Sequence, residues 1–464
     1  MLPSSVHYFA KLTGTKAAID AAGFMRKHGG TFRWGTRPEP WRFTFEEGQA
    51  RPGETYAYQV ERARFDKLML DAARDAGAEI RQPCNVTGLI EEQGRVVGVR
   101  YRSQDEAEHE LRARYVIDST GHGSRMARAV GQRQYSEVFR NVAGYGYWRH
   151  PEPVTRENVG DILCEAFDEG WAWHIPLSPT LVSIGVVVDS RHAGRFSGDA
   201  REAVDFFLQR CPMIRGALAK ARPIGDGCRQ ADGCASKLSC AEGSCIYAGT
   251  RVRKDYSYTN SRFWIPGLAL IGDAACFIDP VFSSGIHLAQ HAALQVTRAI
   301  NTTLAGAASE RRCFEEFERR YRLEYLFFCT FLRAFYQMNQ SEEHYFWQAS
   351  RLLAGVGNDR ESFVRLVSGG ATRGALVHDD SGLKLEEALV DRATLLNRIP
   401  LAGERINAVL ADKLKLPLYS DGLSCSEYDL EWFEPGRGRQ LVAGVLRAGL
   451  SGTEKIAAFV QRRS

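Results

Sequence analysis

The sequence predicts an α/β fold in which an open α/β domain is interrupted by an antiparallel sheet and followed by a mainly helical region. Two short apolar strands run directly into glycine-containing turns, in YVIDSTG at 115–121 and in LALIGDA at 268–274. The stretches GWAWHIP at 170–176 and LVSIGVVV at 181–188 are typical of sheet strands. From about residue 309 onward the apolar spacing becomes helical.

The individual elements are justified in chain order. Residues 12–24 predict a short helix that ends at Gly23, because glycine is a common C-cap. GGTFRWG and WRFTFE alternate like antiparallel strands, and FDKLMLDAARDAGAEI has helical spacing that leads through a turn into a strand. GLIEEQGRVVGVRYR predicts two strands around a turn. SSGIHLAQHAALQVTRAIN predicts a helix that begins at Ser283 or Ser284.

This order of elements sets the expected domain boundaries. The α/β domain takes residues 1–23, 58–133 and 256–305, and the antiparallel-sheet domain takes residues 24–57 and 134–255. The mainly helical region takes residues 306–464. A chain of 464 residues is long enough for two or three domains with sizeable cores.

Composition excludes several classes of protein. Lysine and arginine number 60 against 56 acidic residues, and this net charge of +4 argues against a nucleic-acid binder driven by bulk charge. No apolar run approaches the roughly 18 residues of a membrane-spanning helix, and MLPSSVHYFAKL lacks the features of a signal peptide. The 11 scattered cysteines fit a reduced, cytoplasmic protein.

One group of cysteines lies in a segment rich in glycine, serine and alanine. Four thiols can hold zinc, but these lack the closely spaced C-x₂₋₄-C pairs of zinc sites. A surface insertion with free thiols is the preferred interpretation, and no metal site is predicted. The group consists of Cys228, Cys234, Cys240 and Cys245.

The turn after the second apolar strand is a candidate for ligand binding. Gly272 lets the backbone approach a ligand, and the Asp273 carboxylate can accept hydrogen bonds from ribityl or ribose hydroxyls. A closing loop and a helix start follow, and the free N–H groups of a helix N-terminus suit an anion. The residues of this loop and helix start are Asp279, Pro280, Ser283, Ser284 and Gly285.

The turn after the first apolar strand is the second candidate. The strand delivers Asp118, and Gly121 permits close approach to a dinucleotide, although a simple loop explains the same residues. Arg62 lies where AYQ leads into a helix, so it can meet a phosphate or a flavin, with an ordinary surface arginine as the alternative.

Two tryptophans, Trp171 and Trp173, are separated by one residue. In a strand such residues point to the same face and form one aromatic wall. For an isolated WxW pair, packing against a core is the simpler interpretation. The surrounding motifs decide whether this pair simply packs against a core or forms the wall of a functional site.

Together these pieces resemble the FAD-dependent halogenases, a branch of the flavin monooxygenase fold. The resemblance covers about residues 1–350, and the combination of WxWxIP with GDA is highly specific. It implies an FAD-binding, Rossmann-like domain of the flavin monooxygenase type, interrupted by the substrate-domain sheet. The matching segments are LPSSVH, RKHGGTFRWG, YQVERARFD, VIDSTG, GWAWHIP and GDAACFIDPVFSSGIHLA.

The resemblance also implies a mechanism. A separate flavin reductase supplies FADH2, and O2 converts it to a C4a-hydroperoxide. Chloride held near Ser284 and Gly285 attacks this species, and the resulting hypochlorous acid travels to a relay lysine, which Lys27 in RKHGG matches. Trp171 and Trp173 match the wall that keeps the organic substrate away from the flavin.

The expected substrate class follows from one difference between this chain and the tryptophan halogenases. Tryptophan halogenases have a glutamate before the SxG turn, whereas this chain has Phe282, as in the phenol and pyrrole branch. The resemblance implies chlorination, in antibiotic or other secondary metabolism, of a tyrosyl-like ring on a peptidyl carrier protein, with a free phenolic acid or polyketide as the alternative. An acidic carrier would be complemented by Arg251, Arg253 and Lys254, if these are more than ordinary surface charges.

Two further points concern the cofactor. Asp279 matches the residue that attaches FAD covalently in one relative, although a loop-shaping aspartate is the simpler interpretation. A G-x-G-x-x-G unit with its acidic partner is not found where the family has it, so we expect this chain to hold FAD weakly. A flavin monooxygenase of the same fold and a non-catalytic remnant are the alternatives.

Overall fold

The computed structural model describes residues 1–34, 39–48, 54–136, 139–154, 158–225, 245–254, 257–306 and 308–337, together with Val364, Val367 and Ser368. The strands in this part of the chain are β1 Met25–Lys27, β2 Gly29–Arg33, β3 Trp41–Thr44, β4 Ala57–Gln59, β5 Asn85–Glu92, β6 Arg95–Arg102, β7 Glu108–Arg112, β8 Val116–Asp118, β9 Arg133–Tyr135, β10 Asn141–Arg149, β11 Ile162–Phe167, β12 Gly170–Pro176, β13 Leu181–Asp189, β14 Arg222–Pro223, β15 Arg251–Lys254, β16 Tyr258–Asn260, β17 Trp264–Ile265, β18 Leu268–Leu270 and β19 Cys276–Phe277.

The α-helices in the same part of the chain are α1 Ala10–Leu12, α2 Lys16–Ala21, α3 Arg62–Asp75, α4 Ala127–Val130, α5 Ala200–Leu208, α6 Pro212–Ala217, α7 Gly285–Leu304 and α8 Glu310–Gln337. None of these described helices combines the length and the apolar composition that crossing a membrane requires.

The largest sheet has eight strands, in the order β14-β10-β13-β12-β11-β2-β3 with β15 also paired to β10. The strand β13 is buried on both faces. Val186 and Val188 pack with α5 and α6 on one face, whereas Val187 joins the larger core on the other. Helices therefore close one face of this sheet, and its other face carries Trp171 and Trp173 into the larger core.

A short parallel pair joins β8 to β18, with Asp118 opposite Leu270. Each strand ends in a turn that starts with a left-handed glycine, Gly121 at φ +77° and Gly272 at φ +57°, a conformation that strains residues with a Cβ. The carboxyl ends of parallel strands lie at one edge of a sheet, so the two turns contact each other. This edge is where ligands bind in open α/β folds.

The two long helices α7 and α8 pack against each other through a partly polar interface. The buried His287 ring contacts Glu324 Oε1 at 2.6 Å through Nε2 and Ser4 Oγ at 2.8 Å through Nδ1. Since buried polar groups are costly without partners, these contacts fix the first turn of α7 against both α8 and the N-terminal segment.

The mixed α/β fold class is confirmed. The β2–β3 and β5–β6 pairs are antiparallel as expected, and α3 and α7 lie where their spacing predicts them. The helix expected over 12–24 is wrong in detail: Gly14 at φ +74° separates α1 from α2. Ser284 takes the N-cap position of α7, but its hydroxyl makes no capping bond. The domain boundaries stay predictions, and most of 306–464 lies outside the described residues.

Candidate active site

A cavity of about 450 Å³ lies against the tryptophan-bearing face of the large sheet. This volume falls within the roughly 300–1,000 Å³ typical of ligand pockets, which are mostly apolar with a few polar groups. Here the apolar part is largely aromatic, and the polar groups include one carboxylate. The residues that matter below are Trp171, Trp173, Tyr258, Asp273, Phe277 and Pro280.

Trp171 and Trp173 form the wall that the sequence predicts. Both are buried on β12, and their ring centroids are 5.8 Å apart. Each indole is fixed at its N–H group: Trp171 donates to the Tyr336 hydroxyl, and Trp173 donates to Ser183 Oγ at 3.2 Å. Because buried tryptophan usually satisfies its N–H, both rings are held in a single orientation. We call these two residues the tryptophan wall.

The ring of Trp173 lies directly on the backbone of Gly185, its partner across β12 and β13. A Cβ at Gly185 would stand 2.2 Å from the indole, so Gly185→Ala must displace the ring. We expect the variant to lose about 1–3 kcal/mol in the free energy of unfolding, as overpacked cores do, and to show altered tryptophan fluorescence. Gly88→Ala, where a Cβ meets nothing within 4 Å, is the matched control. Equal unfolding midpoints for both variants would contradict the contact.

Asp273 brings the carboxylate to the cavity. No described residue is recorded as a hydrogen-bond partner of this carboxylate, although Tyr258 donates its hydroxyl to the backbone carbonyl of Asp273. Burial raises the pKa of Asp273, and the positive charge of Arg62 opposes this. An acceptor left unpaired in a cavity is suited to a ligand that donates, such as a hydroxyl group.

Asp279 lies just behind the cavity, where Pro280 is part of the lining. Asp279 is buried, accepts the Val281 N–H at 2.9 Å and accepts the Tyr336 hydroxyl at 3.0 Å. Burial raises the pKa of Asp279 to about 7, against these hydrogen bonds. Tyr336 therefore connects the loop carboxylate to Trp171 of the tryptophan wall. The predicted contact with the cofactor stays a prediction, because the carboxylate itself is not among the lining groups.

The N-terminus of α7 lies close to Phe277, a lining residue, although Ser283, Ser284 and Gly285 are not in the cavity lining. Ser283 adopts φ +56° and donates its N–H to Pro280, which turns the chain into the helix. The amides of Ser284 and Gly285 donate no backbone hydrogen bond within the described residues. A Cβ at Gly285 would stand 3.3 Å from the ring of Phe277, a lining residue. Two free amides at the start of a 20-residue helix fit a small anion.

The other two predicted cofactor residues are placed differently. Asp118 is buried and uses its carboxylate locally: Oδ1 accepts the Thr120 N–H at 2.8 Å, and Oδ2 accepts the Ser124 hydroxyl. It therefore shapes the turn around Gly121. Arg62 begins α3, is 65% exposed and pairs with Asp66. Its charge reaches Asp273, but Arg62 does not line the cavity, and both cofactor roles stay predictions.

Lys27 is buried with only 3% of its surface exposed, and it does not line the cavity. Its Nζ lies 5.6 Å from the ring centroid of Phe45 and has no recorded hydrogen bond to any described residue. Burial lowers the pKa of Lys27 to about 8, and Cys164 and Asp161 oppose the shift. An amine in this state is partly neutral near physiological pH and can act as a nucleophile.

Comparison with known proteins identifies the family. A sequence model of the tryptophan halogenase family matches residues 48–383. The chain belongs to the tryptophan halogenase family. The solved structure of the myxobacterial chondrochloren halogenase, a variant of the FAD-dependent halogenases, is 37% identical, with a TM-score of 0.66 over 98% of this chain and 89% of that one.

Two curated relatives give the same family. A tryptophan 2-halogenase of Chondromyces crocatus is 27% identical over 377 residues, 79% of this chain and 67% of that protein. A flavin-dependent halogenase of Acremonium egyptiacum is 27% identical over 362 residues, 73% of this chain and 61% of that protein. The chain thus spans about two-thirds of the length of these relatives. The family consists of FADH2-dependent oxidoreductases that use O2 and halide.

FAD is the cofactor of this family, and the cavity fits part of it. Aromatic walls suit a flat isoalloxazine ring, the unpaired Asp273 carboxylate suits a hydroxyl donor, and the free amides of Ser284 and Gly285 suit an anion. When bound, reduced FAD supplies the activation of O2.

The ring of Phe282 is buried among other aromatic rings. Its centroid lies 4.9 Å from that of Phe335 and 6.1 Å from that of Phe32.

Some residues of the site escaped sequence reasoning. His122 and Tyr258 line the cavity, with ring centroids 5.2 Å apart. Their positions in STGHG and KDYSY could have suggested this, since both segments flank predicted motifs. Tyr336 has no local signal, because it reaches the tryptophan wall from a helix far along the chain. Of the four grouped cysteines, Cys245 is buried, and the other three lie outside the described residues. The described part of the chain holds no cluster suited to a metal.

Proposed function

We propose that this protein chlorinates an electron-rich phenolic ring through electrophilic halogen that forms at the cavity and is handed to Lys27. The observation that carries the proposal is the placement of Lys27: a buried amine outside the cavity lining, without a hydrogen-bond partner among the described residues. A surface lysine would be solvated and protonated. A buried lysine without a carboxylate partner is costly and is expected where the chemistry requires it.

The tryptophan wall supports separate places for the oxidation of halide and for the organic substrate. Trp171 and Trp173 line the cavity and are fixed by their N–H hydrogen bonds. In this proposal the two fixed indoles stand between the reduced cofactor and the organic substrate. A small halide can still be held at the amides of Ser284 and Gly285. The wall therefore favours halide over the organic ring as the species that is oxidised, which distinguishes this function from hydroxylation by a flavin monooxygenase.

We place the substrate beside Phe282, the position at which the tryptophan branch has a glutamate. Phe282 packs against Phe331 at 5.2 Å between ring centroids, within a cluster of buried phenylalanines. A phenol is already activated toward electrophiles, so it needs less help from a protein carboxylate than an indole does. This supports a phenolic, tyrosyl-like substrate.

A basic edge supports a substrate tethered to a carrier protein. Arg251, Arg253 and Lys254 lie on the exposed strand β15, and none of them forms an ion pair within the described residues. Arg253 and Lys254 also line the cavity. Cations on an exposed strand would speed encounter with an acidic partner. We call these three residues the basic edge.

The decisive experiment compares free and tethered substrate. Enzyme, FADH2 from a flavin reductase, chloride and O2 are supplied with free tyrosine and, separately, with tyrosyl carrier protein, and chlorinated product is measured by mass spectrometry. We expect turnover of the tethered form only. Equal rates with the free amino acid would contradict tethering, and hydroxylated product without chlorination would favour the monooxygenase alternative.

Charge reversal of the basic edge gives a sharper test of docking. We expect Arg251→Glu combined with Arg253→Glu to raise KM for the carrier-bound substrate by about tenfold and to weaken its salt dependence. Because Arg253 also lines the cavity, flavin reoxidation is measured in parallel, and a raised KM is assigned to docking when the reoxidation rate is unchanged. Lys220→Glu, a single reversal at another exposed site, is the control. An unchanged KM in the double variant would assign docking to another surface.

A further inference from the structure

Lys27 lies where the chain passes from one sheet to another. It is the last residue of β1, which forms a two-stranded sheet with β4, and Gly29 begins β2 of the large sheet. We call residues 27–29 the crossing. Its backbone continues neither ladder, so its N–H groups need partners of another kind. One carboxylate supplies them: Asp161 Oδ1 accepts the N–H of His28 at 2.9 Å and the N–H of Gly29 at 2.8 Å.

The other oxygen of Asp161 is occupied as well. Oδ2 accepts Nε of Arg42 at 3.0 Å and Nη2 of the same guanidinium at 2.8 Å. A carboxylate has about four acceptor positions, and these four hydrogen bonds fill them. No ion pair joins the carboxylate to the Lys27 amine in the part of the chain that the structure describes. Asp161 is therefore saturated by the crossing and by Arg42.

A glycine lets Asp161 reach the crossing. The loop before β11 passes so close to β1 that a Cβ at Gly160 would stand 1.7 Å from the carbonyl oxygen of Arg26. Gln59 of β4 donates its side-chain amide to the carbonyl of Gly160 at 3.2 Å. Asp161 itself is buried, with 4% of its surface exposed. The loop is thus held against β1 and β4, and solvent screens the carboxylate only weakly.

Asp161 is the group that carries charge beside the amine. Burial lowers the pKa of Lys27, and the fields of Cys164 and Asp161 oppose it. The amino group of Met1 also lies within electrostatic range of Lys27. Burial raises the pKa of the Cys164 thiol and lowers the pKa of the Met1 amine, so both groups are neutral near physiological pH. Arg42 offsets part of the remaining charge, because opposite charges in contact reduce each other's field.

We propose that Asp161 and Arg42 form a positioning pair for Lys27: together they fix the crossing that carries the amine, and Arg42 keeps the carboxylate from pairing with that amine. An ion pair with Asp161 would hold the amine protonated and remove its nucleophilic form. This inference rests on the proposed function, in which Lys27 receives the electrophilic halogen. Neither Asp161 nor Arg42 lines the cavity, so both are positioning residues and not catalytic ones.

The test measures the titration of Lys27 without turnover. In the full chain with oxidised FAD present, lysines are labelled with ¹³C at Cε, and the Lys27 signal is assigned by its loss in Lys27→Met. We expect the titration midpoint to move to lower pH in Asp161→Asn, which removes a negative charge, and to higher pH in Arg42→Met, which removes a positive one. Arg33→Met is the matched control and should titrate as the wild type does. Arg33 pairs with buried Glu165 in the same sheet and is 28% exposed, against 33% for Arg42.

The opposite directions separate a specific role from a loosened structure. Water that entered a loosened site would move the midpoint to higher pH in both variants, because burial is the largest cause of the lowered pKa of Lys27. A midpoint in Asp161→Asn that is unchanged or higher would therefore overturn the proposal. Arg42→Lys keeps the charge without the planar fork, so its midpoint should stay close to that of the wild type. A midpoint as high as in Arg42→Met would contradict the pairing.

Chlorination is the second readout. We expect Arg42→Met to lose about tenfold in chlorinated product at neutral pH, with flavin reoxidation unchanged, because the amine is more often protonated and less well held. Arg33→Met should chlorinate as the wild type does. A wild-type product rate in Arg42→Met would overturn the proposal. If Lys27→Met still chlorinates while both midpoints move as expected, the proposed function fails and the positioning of Lys27 by this pair stands.

Discussion

Replacing Lys27 with methionine is expected to abolish the chlorinated product, by a factor of about 100 or more, while the reduced flavin continues to be reoxidised. Methionine fills similar space but has no amine to hold the electrophile. The two readouts separate because Lys27 lies outside the cavity where the cofactor would bind. Flavin reoxidation is followed by absorbance and product by mass spectrometry. Lys11→Met, at a lysine that is 49% exposed, is the control. Chlorination that survives at more than about a few per cent in Lys27→Met would exclude Lys27 as the relay.

The same variant makes a prediction about stability. The pKa of Lys27 is about 8 in the folded protein, below its ordinary value of 10.5, so the folded state binds fewer protons between these pH values. The contribution of Lys27 to the free energy of unfolding therefore rises as pH rises from 8 to 10.5. Lys27→Met removes the buried charge and should stabilise the protein at neutral pH, by up to on the order of 3 kcal/mol.

This gain in stability should shrink as pH rises, because the wild-type amine becomes neutral in both states. Urea unfolding at pH 7 and at pH 10 measures the difference. A variant that loses activity and is also less stable at pH 7 would mean that Lys27 supports the fold. A gain in stability with a loss of product is the signature of a residue kept for chemistry.

Replacing Asp273 with alanine is expected to weaken FAD binding by about 10- to 100-fold. The carboxylate faces the cavity without a recorded hydrogen-bond partner among the described residues, and a hydrogen bond to a charged group contributes about 1.5–3 kcal/mol, which converts to this range. Quenching of FAD fluorescence measures the dissociation constant. Asp273→Asn keeps one acceptor oxygen, so its dissociation constant for FAD should fall between those of the wild type and of Asp273→Ala.

Asp105→Ala is the matched control, because Asp105 is an exposed aspartate that does not line the cavity. It should bind FAD as the wild type does. The raised pKa of Asp273 adds a pH dependence: its contribution requires the carboxylate, so affinity should fall with acidification earlier than an ordinary aspartate would allow. Equal affinity for Asp273→Ala and Asp105→Ala would remove Asp273 from the cofactor site.

The sequence by itself determined several secondary-structure elements, the shared face of the two tryptophans and the family. Residue spacing was enough to predict the β5–β6 hairpin, the helix α3 and the helix α7, because short-range periodicity decides these elements. It also predicted that Trp171 and Trp173 share one face, since side chains alternate along a strand. The family likewise followed from contiguous motifs, and the matching family model confirms it.

Only the tertiary structure decided how these parts interact. Tyr336 meets Trp171 across 165 residues of chain, and Cys164 lies beside Trp173 through strand pairing alone. Lys27 is an ordinary lysine in the sequence, and its lowered pKa comes from burial by segments distant along the chain. Burial, unlike periodicity, is a sum over distant contacts. Local pattern therefore suggested the groups of the proposed chemistry, and packing set their protonation and their neighbours.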